Sequence, residues 1–128
     1  MIVKQIKLSN AAKDKLSRLK GKTGIQHWNV LCRWALCFSL KEGTIPTDIE
    51  IASDSNVEMS WLTFAGEYHE IYEALIKEWC ITNKLGTDND TLAKYLKLHL
   101  ERGIGYLSGT NFVKDLKGLL DKSLSEEK

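Results

Sequence analysis

The sequence predicts a mainly α-helical fold: a single compact domain of about five helices with a minor β component. Three observations predict this class. Apolar residues recur at spacings of three and four in five separate segments. Glycines and small polar residues of the kinds that cap helices lie between those segments. Alternation of apolar and polar residues is confined to short stretches, and 128 residues is the usual length of one domain.

We expect this single domain to span 1–128. A basic arm and a helix-turn-helix unit occupy 1–41, a mixed acidic body occupies 42–122, and a frayed polar tail occupies 123–128.

The amino-terminal part predicts an arm followed by a helix. Met1–Leu8 has the composition of a short strand or arm, and Ser9 or Asn10 can cap the helix after it. That helix carries an apolar stripe of Ala12, Leu16 and Leu19. Gly21 is expected to end it as a left-handed C-terminal cap.

The second predicted helix begins near Gly24, is capped by Thr23, and ends at Gly43 and Pro46. Its apolar side chains cover so much of the helix surface that most of it should be buried, in the core or against another subunit. They are Ile25, Trp28, Val30, Leu31, Cys32, Trp34, Ala35, Phe38 and Leu40.

The remainder predicts a small hairpin and three more helices. Alternating residues around Ile49–Ile51 and Val57–Trp61, with turn-forming residues between them, predict the hairpin. Helical spacing predicts helices over 67–85 and 88–102. We expect a flexible break where glycines cluster, at Gly103, Gly105 and Gly109. A last helix should begin at Thr110 and carry Phe112, Leu116, Leu119 and Leu120.

The net charge of +1 conceals a strong asymmetry along the chain. Residues 1–41 carry nine Lys and Arg against one acidic residue, which is +8. Residues 42–128 carry the other nine against sixteen Asp and Glu, which is −7. A basic end of this kind attracts a polyanion, while the acidic body discourages indiscriminate adhesion.

The first helix concentrates this positive charge. At spacings of three and four, Lys15, Arg18 and Lys22 share one helix face, and Lys13 and Lys20 share a neighbouring one. Since the apolar stripe holds the opposite side to the core, the cations should project together into solvent. A nucleic-acid backbone would relieve their repulsion and release counterions. Lys4 and Lys7 in the arm add to the same field, although a solvated lysine-rich helix with no ligand is the simpler interpretation.

Between the two helices lies Gly21-Lys22-Thr23-Gly24. Two glycines allow close backbone approach, and the next helix offers free N–H groups, so this turn can hold a phosphate, as the GxxG clamp of KH domains does. A P-loop is excluded because Leu16 stands where its first glycine is required. The order of arm, helix, turn and helix also suggests a ribbon-helix-helix regulator, although the second helix is very apolar for that class.

The sequence carries no catalytic or metal-binding pattern. His27, His69 and His99 lie far apart, without cysteines at metal-ligand spacing, so we predict no metal and no cofactor. The chain contains no nucleophile or nucleotide fingerprint, so we predict no catalytic residue and no enzyme. Cys32, Cys37 and Cys80 should be reduced and mostly buried, with a sulfur-handling role as the alternative.

The sequence resembles the DndE family. The resemblance is carried by Lys7-Leu8-Ser9 and by LSRLKGKTGIQHWNVLCRWALC over 16–37. It covers most of the chain and is strongest from residue 7 to about 40. It implies a role in bacterial DNA phosphorothioation, in which sulfur replaces a non-bridging oxygen of the DNA backbone. It also implies a homo-oligomer, a tetramer, that binds duplex DNA and favours nicked DNA. The partners it implies are a cysteine desulfurase, an iron–sulfur protein, an ATPase-like protein and a reductase-type sulfotransfer protein.

Residue pattern and resemblance together predict a cytoplasmic, DNA-binding accessory subunit that binds without strong sequence specificity. The predicted DNA-binding residues are Lys4, Lys7, Lys13, Lys15, Arg18, Lys20, Gly21, Lys22, Thr23 and Gly24. Two alternatives stay open: a scaffold that docks other sulfur-modification proteins, and a ribbon-helix-helix-like transcriptional regulator. Neither a membrane-spanning segment nor a secretory signal is expected.

Overall fold

The computed structural model describes residues 2–109. It confirms a mainly helical fold with a small antiparallel two-stranded sheet. The elements are β1 (Gln5–Lys7), α1 (Asn10–Thr23), α2 (Trp28–Lys41), β2 (Glu58–Ser60), α3 (Trp61–Ala65), α4 (His69–Thr82) and α5 (Asn89–Gly109). A single 3₁₀ turn, Gly66–Tyr68, joins α3 to α4. The predicted last helix from Thr110 and the predicted tail at 123–128 lie outside the described residues.

Helix α5 is the element against which α1, α2 and α4 pack. Helix α2 packs along it, with Leu31, Ala35 and Leu36 fully buried, and α1 packs beside them through Leu16 and Leu19. The predicted break at Gly103 and Gly105 is wrong, because α5 runs continuously through both glycines. The reason is a close helix crossing: a Cβ on Gly103 would lie 1.9 Å from the carbonyl oxygen of Ala35. At this position glycine provides space rather than a flexible hinge.

The β component is formed by different partners from those predicted. Strand β1 in the arm pairs antiparallel with β2, with Ile6 opposite Met59 and both side chains buried. The predicted local hairpin is wrong, because Ile49–Ile51 forms no strand. Pairing within one chain also differs from the ribbon of a ribbon-helix-helix protein, in which the two strands come from two subunits. The structure therefore does not support that alternative.

Helix α3 was not predicted, and a set of long-range hydrogen bonds holds it against α2. Its N-cap is Ser60, whose hydroxyl accepts from the Thr63 amide. At its other end, the Asn29 side chain donates to the Thr63 carbonyl at 3.2 Å, and the Arg33 guanidinium donates to the Thr63 and Phe64 carbonyls. A five-residue helix leaves most of its carbonyls without an internal partner, so these donors complete it.

Candidate nucleic-acid interface

Helix α1 begins at a cap that a distant carboxylate holds in place. The Ser9 hydroxyl accepts from the Ala12 amide at 3.0 Å, as an N-cap does. Glu101 on α5 then receives both the Ser9 hydroxyl, at 2.6 Å, and the Ser9 amide, at 3.1 Å. These bonds fix the start of α1 to α5, so the cationic side chains of α1 stand on a rigid support.

The end of α1 lies later than the sequence predicted. The helix continues through Gly21 to Thr23, and Gly24 adopts the left-handed conformation with φ 77° and donates its N–H to the Lys20 carbonyl. Gly24, and not Gly21, is therefore the C-terminal cap. Helix α2 starts at Trp28, after an extended segment, and not near Gly24 as predicted.

The side chain of Thr23 forms hydrogen bonds within the turn between α1 and α2. It is buried, its hydroxyl donates to the Leu19 carbonyl at 2.7 Å, and it accepts from the Ile25 amide at 3.2 Å. Thr23 therefore does not cap α2, whose N-cap is His27. Gly21 has nothing within 4 Å of an added Cβ, and Gly24 is exposed, so both glycines lie open to solvent at this end of α1.

All five predicted cations of the first helix lie on α1, and their exposure differs. Arg18 and Lys22, one turn apart, are exposed, whereas Lys13, Lys15 and Lys20 are half-buried. The amino group of Lys15 lies over α5, 3.7 Å from where a Cβ of Gly105 would be. The amino group of Lys20 sits 4.2 Å from the centroid of the Trp28 ring, a cation–π contact. Arg18 and Lys22 are thus the cations best placed to meet a ligand.

Within residues 2–109 none of these five side chains forms an ion pair. The glutamates of α4, which could have neutralised them, form no ion pair with them. Lys20 and Lys22 stand in the last turn of α1, where the helix dipole favours cations, so part of the cluster also stabilises the helix. Arg18 lies outside that turn and has no such role.

Lys4 and Lys7 are exposed at either end of β1. The Lys4 carbonyl accepts from the Trp61 amide at 2.9 Å, which anchors the arm to the start of α3. The backbone of the arm is therefore part of the fold, and it places Lys4 and Lys7 on the surface.

Sequence reasoning missed the polar side chains that support this surface. The Arg102 guanidinium donates to four oxygens at the end of α2. They are the hydroxyl and the carbonyl oxygens of Ser39 and of Thr44, each at 2.9 Å. Glu101 and Arg33 act in the same way at α1 and α3. The partners of Glu101 are 92 residues away, so no local signal could have identified it.

The three cysteines differ in exposure. Cys32 and Cys80 are buried, whereas Cys37 is exposed on α2, and all three are free thiols. Burial raises the pKa of Cys32 to about 12, and burial followed by Asp88 raises the pKa of Cys80. Over the described part of the chain, no three His, Cys, Asp or Glu side chains come together as metal ligands would. Nor does that part contain a helix long and apolar enough to span a membrane.

Fold and surface together define a class of protein: a small, mainly helical protein that displays a cationic helix on an intramolecular support. A family model described as DNA sulphur modification protein DndE matches residues 5–115. This chain belongs to the DndE family.

Solved structures agree with this assignment. The crystal structure of DndE from Escherichia coli B7A, involved in DNA phosphorothioation modification, is 28% identical with a TM-score of 0.70, over 84% of this chain and 98% of that one. A DndE mutant with glycines replaced by lysine is 22% identical with a TM-score of 0.65, over 84% of this chain and 100% of that one, and shares the fold. No curated protein matches the chain.

Proposed function

We propose that this chain is a DNA-binding accessory subunit of the bacterial DNA phosphorothioation machinery. It binds duplex DNA, including nicked duplex, through α1 and the turn at Gly24. Because chromosomal DNA lies in the bacterial cytoplasm, the chain acts there. The solved relative from Escherichia coli B7A, which is involved in phosphorothioation modification, supports the pathway.

One observation carries the DNA-binding role: five cations stand on one helix, and none is neutralised within residues 2–109. Like charges this close repel, and binding to phosphates relieves the repulsion and releases condensed counterions. Contacts from Lys and Arg to phosphates position a protein on DNA without reading bases, so binding has little sequence specificity. A nick makes the backbone easier to deform, which favours a rigid cationic surface.

The proposal is tested by removing the two exposed cations of α1. The double variant Arg18→Ala/Lys22→Ala is expected to weaken duplex binding at low salt. It should also flatten the plot of log affinity against log salt by about 0.9 for each phosphate that is no longer neutralised. Gel-shift titration of intact and nicked duplexes over a salt series measures both effects.

The matched control is Lys77→Ala/Lys94→Ala, which removes the same charge from α4 and α5. Both lysines are solvent-exposed ion-pair partners, with Glu73 and Asp48, so their loss costs little stability. An equal effect of the two double variants would mean that only net charge matters. Unchanged binding by the α1 variant would remove α1 from the interface.

In this proposal the chain contributes no catalytic residue. A nucleophilic cysteine needs a lowered pKa, and burial does the opposite at Cys32 and Cys80. Replacing Cys32, Cys37 and Cys80 with Ser should leave the phosphorothioate content of cellular DNA unchanged, as measured by mass spectrometry of DNA digests.

A second candidate function, a scaffold for other sulfur-modification proteins, is favoured by exposed apolar side chains on α3, on α4 and on the 3₁₀ turn between them. Five large apolar side chains there are 43–59% exposed: Leu62, Tyr68, Ile71, Leu75 and Ile81. Exposed patches of this kind mark protein interfaces. The surface supports a homo-oligomer, a tetramer in our proposal, or the docking of pathway partners. Purification of the chain with its partners, with and without nuclease, distinguishes protein contacts from bridging by DNA.

A further inference from the structure

A groove between β1 and α5 is the feature that the α1 interface leaves unexplained. It has a volume of about 210 Å³ and is lined by residues of both elements and by Ser53. This volume is below the roughly 300–1,000 Å³ of pockets that enclose a whole drug-sized ligand, so the groove has room for one compact group, such as a single base, and not for a duplex.

Among the described residues, those that line the groove include two lysines and no carboxylate. Lys7 stands on β1, and Lys97 stands on α5. The Lys97 amino group donates to the Ile51 carbonyl at 3.3 Å and to the Ser53 hydroxyl, which fixes it in place and leaves one N–H free. Glu58 faces Lys7 across the ladder, yet within the described chain the two form no ion pair.

The walls beside the two lysines are apolar. Val3 and Ile6 line one side, and Ala93, Leu96 and Leu100 line the other. A ligand that fits both features has a compact apolar face and an anionic group beside it. Among the components of DNA, a single nucleotide has this character, since every base presents an apolar face next to its phosphate.

We propose that this groove holds one unpaired nucleotide, with its phosphate between Lys7 and Lys97 and its base against Ala93 and Leu96. The inference rests on the proposed DNA-binding function and extends it, because α1 holds the duplex while the groove takes a nucleotide from a free strand end.

The test compares a blunt duplex with the same duplex carrying a short single-stranded overhang, by fluorescence anisotropy with the full chain. The overhang should bind about fivefold more tightly, because burial of roughly 40 Å² of base surface on the aliphatic walls contributes about 1 kcal/mol. Lys97→Ala should remove most of that preference and leave blunt-duplex affinity within about twofold. Lys7→Ala, which also removes a predicted duplex contact, should likewise remove most of the preference, measured as the ratio of overhang affinity to blunt-duplex affinity. Lys97→Arg should retain it, because the positive charge remains.

Lys94→Ala is the matched control, since Lys94 lies one turn before Lys97 and pairs with Asp48 at 2.6 Å. It should leave the preference intact. If Lys97→Ala disturbs the segment around Ser53, the Lys7→Ala variant still tests whether the overhang preference depends on the groove, because Lys7 is exposed. Titration of isotope-labelled chain with deoxythymidine monophosphate distinguishes a free nucleotide from a DNA end. Shifts of the groove amides without an overhang preference would assign the groove to free nucleotide.

A chain that binds blunt duplex through α1, shows no overhang preference and gives no groove shifts overturns this inference alone. A chain that binds neither duplex overturns the proposed function, and the nucleotide titration still reports on the groove. A preference that survives both lysine variants would also falsify the assignment.

Discussion

His99 is a fully buried titratable side chain that the proposed interface does not use. Its Nδ1 lies 2.7 Å from the Ser39 hydroxyl, and its ring meets Trp79 edge-on at 4.3 Å between centroids. The Arg102 guanidinium donates to the same Ser39 oxygen, so His99, Ser39 and Arg102 form one hydrogen-bonded group. Among the described residues, Nε2 has no hydrogen-bond partner. Burial, and then Arg102, lower the pKa of His99 to about 4.

This site predicts a loss of stability in mild acid. The folded chain keeps His99 neutral, whereas the unfolded chain binds a proton below its ordinary pKa of about 6.5. The contribution of His99 is therefore complete above pH 6.5 and is lost as the pH falls towards 4. Between pH 7 and 5 it should reduce the free energy of unfolding by about 2 kcal/mol. Urea denaturation at both pH values measures this change.

The comparison variant is His99→Phe, which fills similar space and does not titrate. It should show a pH dependence smaller by about the same amount, even if it is less stable at pH 7. If the free energy of unfolding depends equally on pH in both proteins, folding does not lower the pKa of His99, and the prediction is wrong.

At the scale of elements, the crossing of α2 and α5 leaves less space at Gly103 than any other glycine of residues 2–109 has. Gly103 allows the Ala35 backbone to approach so closely that a Cβ would overlap it. The rigid neighbour is backbone rather than a movable side chain, so the two helices must separate to accept any larger residue.

Gly103→Ala and Gly21→Ala are therefore expected to change stability in opposite directions. Gly103→Ala should destabilise the fold by about 1–3 kcal/mol, as overpacking does. Gly21→Ala replaces a helical glycine with open space around it and should stabilise by about 0.4–1 kcal/mol. Urea denaturation of the two variants against the parent chain checks both directions, and a neutral Gly103→Ala would contradict the close crossing.

The helices differ in how far they could be predicted from sequence. The apolar stripes of α1, α2, α4 and α5 predicted those helices, because their spacing reflects burial on one face. At two glycines the sequence predicted an end or a break of a helix where the structure has none. Gly21 and Gly103 are simply helical, and only the neighbouring helix reveals why Gly103 is there. Helix α3 and the pairing of β1 with β2 depend on contacts between distant parts of the chain, which local patterns do not contain.

At the scale of the whole molecule, the structure separates a cationic helix from an apolar surface. In the single chain, Ile71 and Leu75 are among the exposed residues of α4, while Ile76 and Cys80 on its other side are buried. Helix α4 therefore has apolar side chains on two opposite sides, and the core covers only one of them. Association with another subunit would bury the other side.

Ile71→Glu/Leu75→Glu is expected to dissociate the proposed homo-oligomer. Charges placed in an apolar interface oppose association, whereas at an exposed position of the single chain they cost little. Light scattering after size exclusion should give an oligomer for the parent chain and a single subunit for the variant. Duplex affinity should also fall, because a single subunit binds DNA without the avidity of linked copies.

Ile45→Glu/Ile49→Glu is the control, since these two exposed isoleucines lie in the segment between α2 and β2. That variant should keep the parent mass. A parent chain that already has the mass of one subunit would refute assembly through α4.

The candidate site was more predictable than its support. Spacing alone indicated that Arg18 and Lys22 would share an exposed face, since the stripe of Leu16 and Leu19 fixes the opposite side. It could not indicate that Lys15 lies over α5 or that Lys20 packs on Trp28, because both neighbours belong to other helices. The groove at Lys97 was not predicted for the same reason, because its two walls are some 90 residues apart in the sequence.

The hydrogen bonds between Ser9 and Glu101 have a consequence for biosynthesis. Ribosomes release the lysine-rich helix early, but the residue that secures its first turn emerges only after about a hundred others. A nascent chain therefore exposes these cations before they are held in their final positions. Completion of the binding surface is coupled to completion of translation, so a prematurely terminated chain lacks the anchor.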